Sequence, residues 1–470
     1  KEADDLPWKL ESVGSAAPAS TAVGDSQMAF GIVEGTTEDT LLKTEGYRLL
    51  QRGQTKTVLD ICGRMPRLYK AITPSIGLLE AFAFELSGQP DRAEARYEAM
   101  LKHTTDPRVR DLAAMFTGRF GKRRTFLKTS PAASSVVGIQ KLHGGYDVHA
   151  GVGQLRDGWL ASQDLTEPQR LFEAAHAHAM VGCIFSGRFE ETDTVSTRVR
   201  PVMKHAGFLY SHAHLCLDQA VGAVVSSNVE LARRRLQEAA QHLDLFPDSF
   251  VGHGIRAARC YLAVEKRNRQ ALKERDDWPD WKALPSQMQP LYLRTLILAN
   301  IVDGHPESAR LDGRHLRRLV EGEQGLYVPE CLLAMACLDD ALGQSESALS
   351  YAVAAYRMAV DLHMTFWVMK SSSLITHLLR HRRREGADLQ SKQFLIQAVH
   401  LALEHDWAEY WHADPLACLR PLFKRFDARV PPGAAITPGR MIRLAAKLAR
   451  TVAMPNGLLA APRRHEKLPF

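Results

Sequence analysis

The chain has 470 residues, 45% of them hydrophobic and 24% charged, with a net charge of +7. Such a composition is ordinary for a globular protein, and the length exceeds what one compact core organises, so several domains or one extended repeat is expected. A charge of +7 is too dilute over this length to argue for nucleic-acid binding by itself. The seven cysteines, at 62, 183, 216, 260, 331, 337 and 418, are scattered and form no CxxC pair, which excludes a disulfide scaffold or a zinc ribbon and fits a reducing cytoplasm.

Residues 1–40 read as a flexible linker. They include the Ala/Ser/Gly-rich stretch "GSAAPASTAVGDS" at 14–26 and begin at Lys1 rather than Met, as expected of a segment joined to something upstream. From residue 41 onward the pattern is helical, and alternating β-branched runs are nearly absent. In "DRAEARYEAMLKH" (91–103), Ala93, Tyr97 and Met100 fall on one helical face, and Asp91 sits where an N-cap is expected. The helix before it, "SIGLLEAFAFEL" (75–86), is apolar almost all round, and Gly88 closes the hairpin.

The same unit recurs. Taking the residue that opens each second helix as Val58, Ala93, Thr192, Ala232, Ala271, Ala309 and Ala348, the spacings are 35, 99, 40, 39, 38 and 39 residues. The long gap hides one or two less regular units. A period of about 34–40 residues built from paired helices points to an all-α, tetratricopeptide-like solenoid, a right-handed superhelix over residues 41–427. The apolar run "LYLRTLILANIV" (291–302) is too short to span a membrane and carries Arg294, so no membrane role is expected.

Few residues offer chemistry. His176 with His178, and His212 with His214, are spaced i, i+2, which turns the two rings of a pair roughly 200° apart on a helix. At most one ring of each pair can face a common site; solvated or core-edge histidines are the default, and no metal is expected. Met364, Phe366 and Trp367, in "DLHMTFWVMKSSS" (361–373), and Trp407, Tyr410 and Trp411, in "HDWAEYWHADP" (405–415), are the candidate ligand-binding residues. They offer soft and aromatic surface for a small ring-bearing ligand, against a simpler role in core packing. Cys183 reads as core. No nucleophile constellation stands out, and the paired carboxylates at 190–191, 276–277 and 339–340 read as capping or solvated groups at turns and helix ends, so no enzyme activity is expected. Residues 428–470 read as a linker and a basic C-terminal helix and tail, with Arg440, Arg443, Lys447 and Arg450 along the helix at 439–453.

Leu49, Leu50, Gly53, Val58, Leu59, Met65, Pro66, Leu78, Ala81, Gly88 and Ala93, within 41–101, resemble the opening of the sensor region of MalT-like, LuxR-type bacterial transcription activators, of the STAND class of ATPases. "LIQAVHLALEHDWAEYWHADPLACLRPL" (395–422) resembles the last sensor helices of that family, and "RVPPGAAITPG" (429–439) its linker to a helix-turn-helix. Two features of the whole family are absent here. "GKRR" at 121–124 lacks the glycine spacing and Ser/Thr of a phosphate loop, and no helix-turn-helix follows "RRHEKLPF". The resemblance implies a cytoplasmic middle portion that binds a small-molecule or protein inducer and has no cofactor of its own. ATP, DNA, RNA polymerase and self-association are implied only for the full-length protein. A scaffold that binds a peptide or protein partner, without a DNA-binding role, is the alternative. An α/α-toroid enzyme would need inward-facing carboxylates at successive helix ends, and no convincing set is visible.

Overall fold

The computed structural model describes residues 38–65, 74–106, 148–163, 168–184, 187–226, 228–265, 278–284, 288–321 and 326–380, with isolated positions at 109–113, 272 and 393–401. Among them the chain is all-α and contains no strand. The helices are α1 (Glu38–Gln51), α2 (Thr55–Arg64), α3 (Pro74–Leu86), α4 (Pro90–His103), α5 (Val148–Ser162) and α6 (Pro168–His176), which widens into a π-helix over Ala177–Ile184. Then follow α7 (Phe189–His205), α8 (Leu209–Val225), α9 (Val229–Ala240), α10 (Phe250–Glu265), α11 (Gln289–Val302), α12 (Arg310–Val320), α13 (Val328–Ala341), α14 (Ser345–Asp361) and α15 (Thr365–Arg380). None of the described helices is long and apolar enough to cross a membrane.

Seven turns among the described residues share one geometry. Gly53, Gly88, Gly187, Gly207, Gly304, Gly343 and His363 all have positive φ. In each, this residue donates its N–H to the carbonyl three positions back, and its successor donates to the carbonyl five back, as Gly88 does to Glu85 and Gln89 to Phe84. That double bond satisfies the last free carbonyls of the outgoing helix and needs a left-handed residue, which glycine supplies without a Cβ clash. A new helix starts two residues later, at Thr55, Pro90, Phe189, Leu209, Ser345 and Thr365, and at Pro306 as a 3₁₀ turn leading into α12. The expected N-cap at Asp91 is displaced. Pro90, whose fixed φ suits the first helical position, makes Gln89 the cap, so Asp91 lies in the first turn and favours the positive end of the helix dipole.

Neighbouring helices pack in sequence order, α3 on α4, α7 on α8, α8 on α9, α13 on α14 and α14 on α15. Two further contacts join distant parts. One core unites Leu42, Leu50, Phe82 and Leu86 of α1 and α3 with Tyr210, Leu217 and Ile255 of α8 and α10. Phe82 and Phe246 meet Tyr210 edge-on, with centroids 5.8 and 5.2 Å away. Elsewhere Phe189, at the start of α7, meets Phe366 of α15 edge-on at 5.0 Å. The reason for the first contact lies in α8. Fifteen of its residues, Tyr210 to Ala220 and Gly222 to Val225, are buried. A helix buried on every side, with His212, His214, Asp218 and Gln219 among its buried residues, needs cover and polar partners on every side. Its hairpin partners cannot supply all of it, so α1 and α3 do.

Some polar groups of the core are matched across helices. Arg294 of α11 forms a buried ion pair with Glu330 of α13 at 2.6 Å. Tyr261 of α10 bridges the two, donating to Glu330 at 2.9 Å and accepting from Arg294 at 2.8 Å.

The turn geometry separates two glycines. A Cβ at Gly88 would meet the Asp248 carbonyl oxygen at 2.8 Å, whereas one at Gly343 meets nothing within 4 Å. Both φ values are left-handed, +70 and +73. Gly343→Ala is therefore expected to cost about 1–2 kcal/mol from backbone strain alone, and Gly88→Ala measurably more, in urea unfolding. Equal losses would show that the contact with Asp248 carries no weight.

Candidate functional site

The described chemistry gathers around α8. Its first turn follows Phe208, which provides no side-chain cap. The free Ser211 N–H is instead received by Gln51 Oε1 of α1 at 3.0 Å. Gln51 donates in turn to Gln169 of α6 at 3.0 Å, and Gln169 to Glu173 at 2.8 Å. A buried helix end is thus capped by a side chain 160 residues away in sequence. Lower on the same helix, Gln219 donates to the Asp193 carboxylate at 2.7 Å and to Thr197 at 3.0 Å, both on α7.

Three histidine clusters surround α8. The first joins His176, the last residue of α6, to His214 and Asp218 of α8. His176 Nδ1 lies 2.8 Å from Asp218 Oδ2, and the two imidazole centroids are 4.0 Å apart. Asp218 is fully buried, with His214 at 2% and His176 at 8% exposure. The rings of Phe172, Tyr210 and Phe250 wall the cluster at 5.5–5.8 Å.

The second joins His178 and Cys183 of the π-helix to Glu191 of α7. His178 Nε2 lies 2.8 Å from Glu191 and 3.7 Å from Cys183 Sγ. Arg188 also pairs with Glu191. The hydrogen bond from His178 holds the Glu191 carboxyl below its usual range. Burial, helped by Glu191, pushes the Cys183 thiol up to about 12, so it is neither a nucleophile nor a thiolate at neutral pH.

The third joins His212 and Cys216 of α8 to Glu238 of α9. Glu238 accepts from Arg200 at 2.8 Å and from Arg235 at 2.9 Å, with His212 Nε2 at 3.4 Å. Burial opposes ionisation of Glu238, but Arg200 and Arg235 outweigh it and keep the carboxyl low. Burial pushes the Cys216 thiol up to about 11 and the His212 imidazole down to about 4.

The i, i+2 argument from sequence is visible in these contacts. His176 and His178 turn to different helices, as do His212 and His214, and only His176 and His214 share a site. The default of solvated or core-edge rings is corrected on one point: all four are buried. What the His–His spacing missed is the i, i+4 interval on α8, His212 with Cys216 and His214 with Asp218, which sets two donors on one helical face. A search for mixed donor pairs finds both.

The aromatic candidates have other employment. Met364, Phe366 and Trp367 are buried, at 0%, 0% and 4% exposure, where the start of α15 packs on Phe189 of α7. Trp407, Tyr410 and Trp411, the basic helix at 439–453 and the linker at 428–470 lie outside the described residues, as does the linker expected at 1–40 except for residues 38–40, which already belong to α1.

Sequence comparison finds no matching family model and no matching curated protein.

The depressed imidazole gives a pH signature. His212 titrates near 6.5 in an unfolded chain and near 4 when folded, with Glu238, His242, Arg200 and Lys204 acting on it. Between those values the unfolded chain binds more protons. Its contribution to stability is therefore fully present above pH 6.5 and is lost as pH falls toward 4. At about 1.4 kcal/mol per pH unit the loss is roughly 3 kcal/mol. Chemical unfolding at several pH values should show this slope, and His212→Gln should flatten it. A slope unchanged in His212→Gln would assign the acid sensitivity to other groups.

Proposed function

We propose that this chain is a helical-repeat binding platform, a tetratricopeptide-like solenoid that serves as the ligand-sensing region of a MalT-like transcription activator. The observation that carries the repeat reading is the set of seven left-handed turns, each followed by a helix two residues later. A turn so uniform converts one helix after another into hairpins, and stacked hairpins make a curved wall. Support for the sensor role comes from the resemblance of residues 41–101 to the start of such regions. The two distant contacts, α1 and α3 on α8 and α10, and α7 on α15, make the stack tighter than an open array of nearest neighbours. A tight stack suits a switch, because a ligand that favours one arrangement acts on all the packed helices together. It acts by population shift and requires only that the inducer bind the active arrangement more tightly than the resting one. No catalytic step is proposed.

Thermal unfolding of the purified chain against a panel of small metabolites and a panel of peptides tests this reading. A ligand present at a hundred times its Kd adds about 2.7 kcal/mol of stability. A small molecule that raises the melting temperature is the expected result. A rise with peptides alone would replace the sensor by a scaffold that binds a protein partner.

A further inference from the structure

We propose that His176, His214 and Asp218 bind a divalent transition-metal ion of the zinc class, which clamps α6 to α8. This inference does not rest on the sensor reading. All three donor groups lie within 4.8 Å of one another. His214 and Asp218 come from one face of α8 at i, i+4, and His176 comes from α6, so the donors approach from two rigid elements. Two imidazoles and one carboxylate form a donor set suited to zinc, cobalt or iron(II).

Charge disfavours the other two clusters. Glu191 and Glu238 already have guanidinium partners, Arg188 for the first and Arg200 and Arg235 for the second, and a further cation there would meet that positive charge. Asp218, with no exposure, faces the His176 imidazole. A carboxylate removed from water attracts a dication more strongly than an exposed one does. The aromatic walls exclude water and strengthen that attraction. The backbone adds an independent sign, since His176 is followed at once by the π-helix over Ala177–Ile184, a rare distortion that often marks functional positions.

Cobalt(II) is the probe. The full chain, stripped with a chelator and titrated with Co²⁺, is expected to bind one equivalent and develop visible d–d bands. No intense near-ultraviolet thiolate band should accompany them. Asp218→Asn and His214→Asn should abolish the bands, whereas His178→Asn and Cys183→Ser should leave them intact. Should those two substitutions unfold the chain, X-ray absorption of the zinc-loaded wild type decides. A shell of nitrogen and oxygen alone, at about 2.0–2.1 Å, supports the site. A sulfur shell at about 2.3 Å would move the metal to Cys183 or Cys216 and overturn the proposal. So would a chain that binds no Co²⁺, or full binding by folded Asp218→Asn.

Discussion

Burial of α8 on every side is the constraint from which the rest of the structure follows. Tyr210, Ala213, Cys216, Leu217, Ala220 and Val224 all belong to one core, while Leu215 joins the core of α5–α7 on the other side. No single hairpin partner can cover such a helix. α3 and α10 help to close around it, and four further helices do so with polar groups: α7 and α9 from its own neighbourhood, α1 and α6 from further away. Each brings the polar partner that α8 requires at that side. Gln51 caps its N-terminus, His176 meets Asp218, Asp193 receives Gln219, and Glu238 faces His212. Polar groups in a dry interior are costly when unmatched, so these pairings fix how the distant helices seat, where apolar contact alone would tolerate sliding.

Two levels of organisation meet in this fold. The local level is the left-handed turn, which ends one helix and starts the next and has a glycine at six of its seven positions among the described residues, with His363 at the other. The other level is the fold-back onto α8 and the contact of Phe189 with Phe366. Contacts of the second kind distinguish this molecule from an array whose units touch only their neighbours, and they put residues from four helices into one small volume. The histidine clusters lie beside these contacts, built from α6 with its π-helical extension, α7, α8 and α9, which follow one another along the chain.

The first level was largely legible in the sequence. Gly53, Gly88, Gly187, Gly304 and Gly343 were readable as turns because a positive φ is nearly specific to one residue type. Gly207 was missed, since "KHAGFLYS" carries none of the polar punctuation of the other turns. His363 was missed because a histidine in that conformation is uncommon. The second level was not legible. α8 mixes polar and apolar residues, so its pattern does not announce burial on every side or which helices provide it, and its partners lie up to 160 residues away. The same limit explains the aromatic group at 364–367. Its composition suits a ligand wall as well as a core, and only the arrival of Phe189 decides how Phe366 is used. The i, i+2 rule separated the histidines of each pair correctly, but it could not bring together His176 and His214, which lie on different helices.

If α8 is the element on which the others are assembled, its amides should exchange with solvent only when the whole molecule unfolds. Native-state hydrogen exchange under increasing denaturant measures this directly. The amides of Leu215–Val225 should be the slowest in the chain, merging with global unfolding, while α4, α12 and α14 open earlier. If α8 instead exchanges through a local opening well below the global free energy while α13–α14 remain protected, the molecule is built on another core and this account of its fold is wrong.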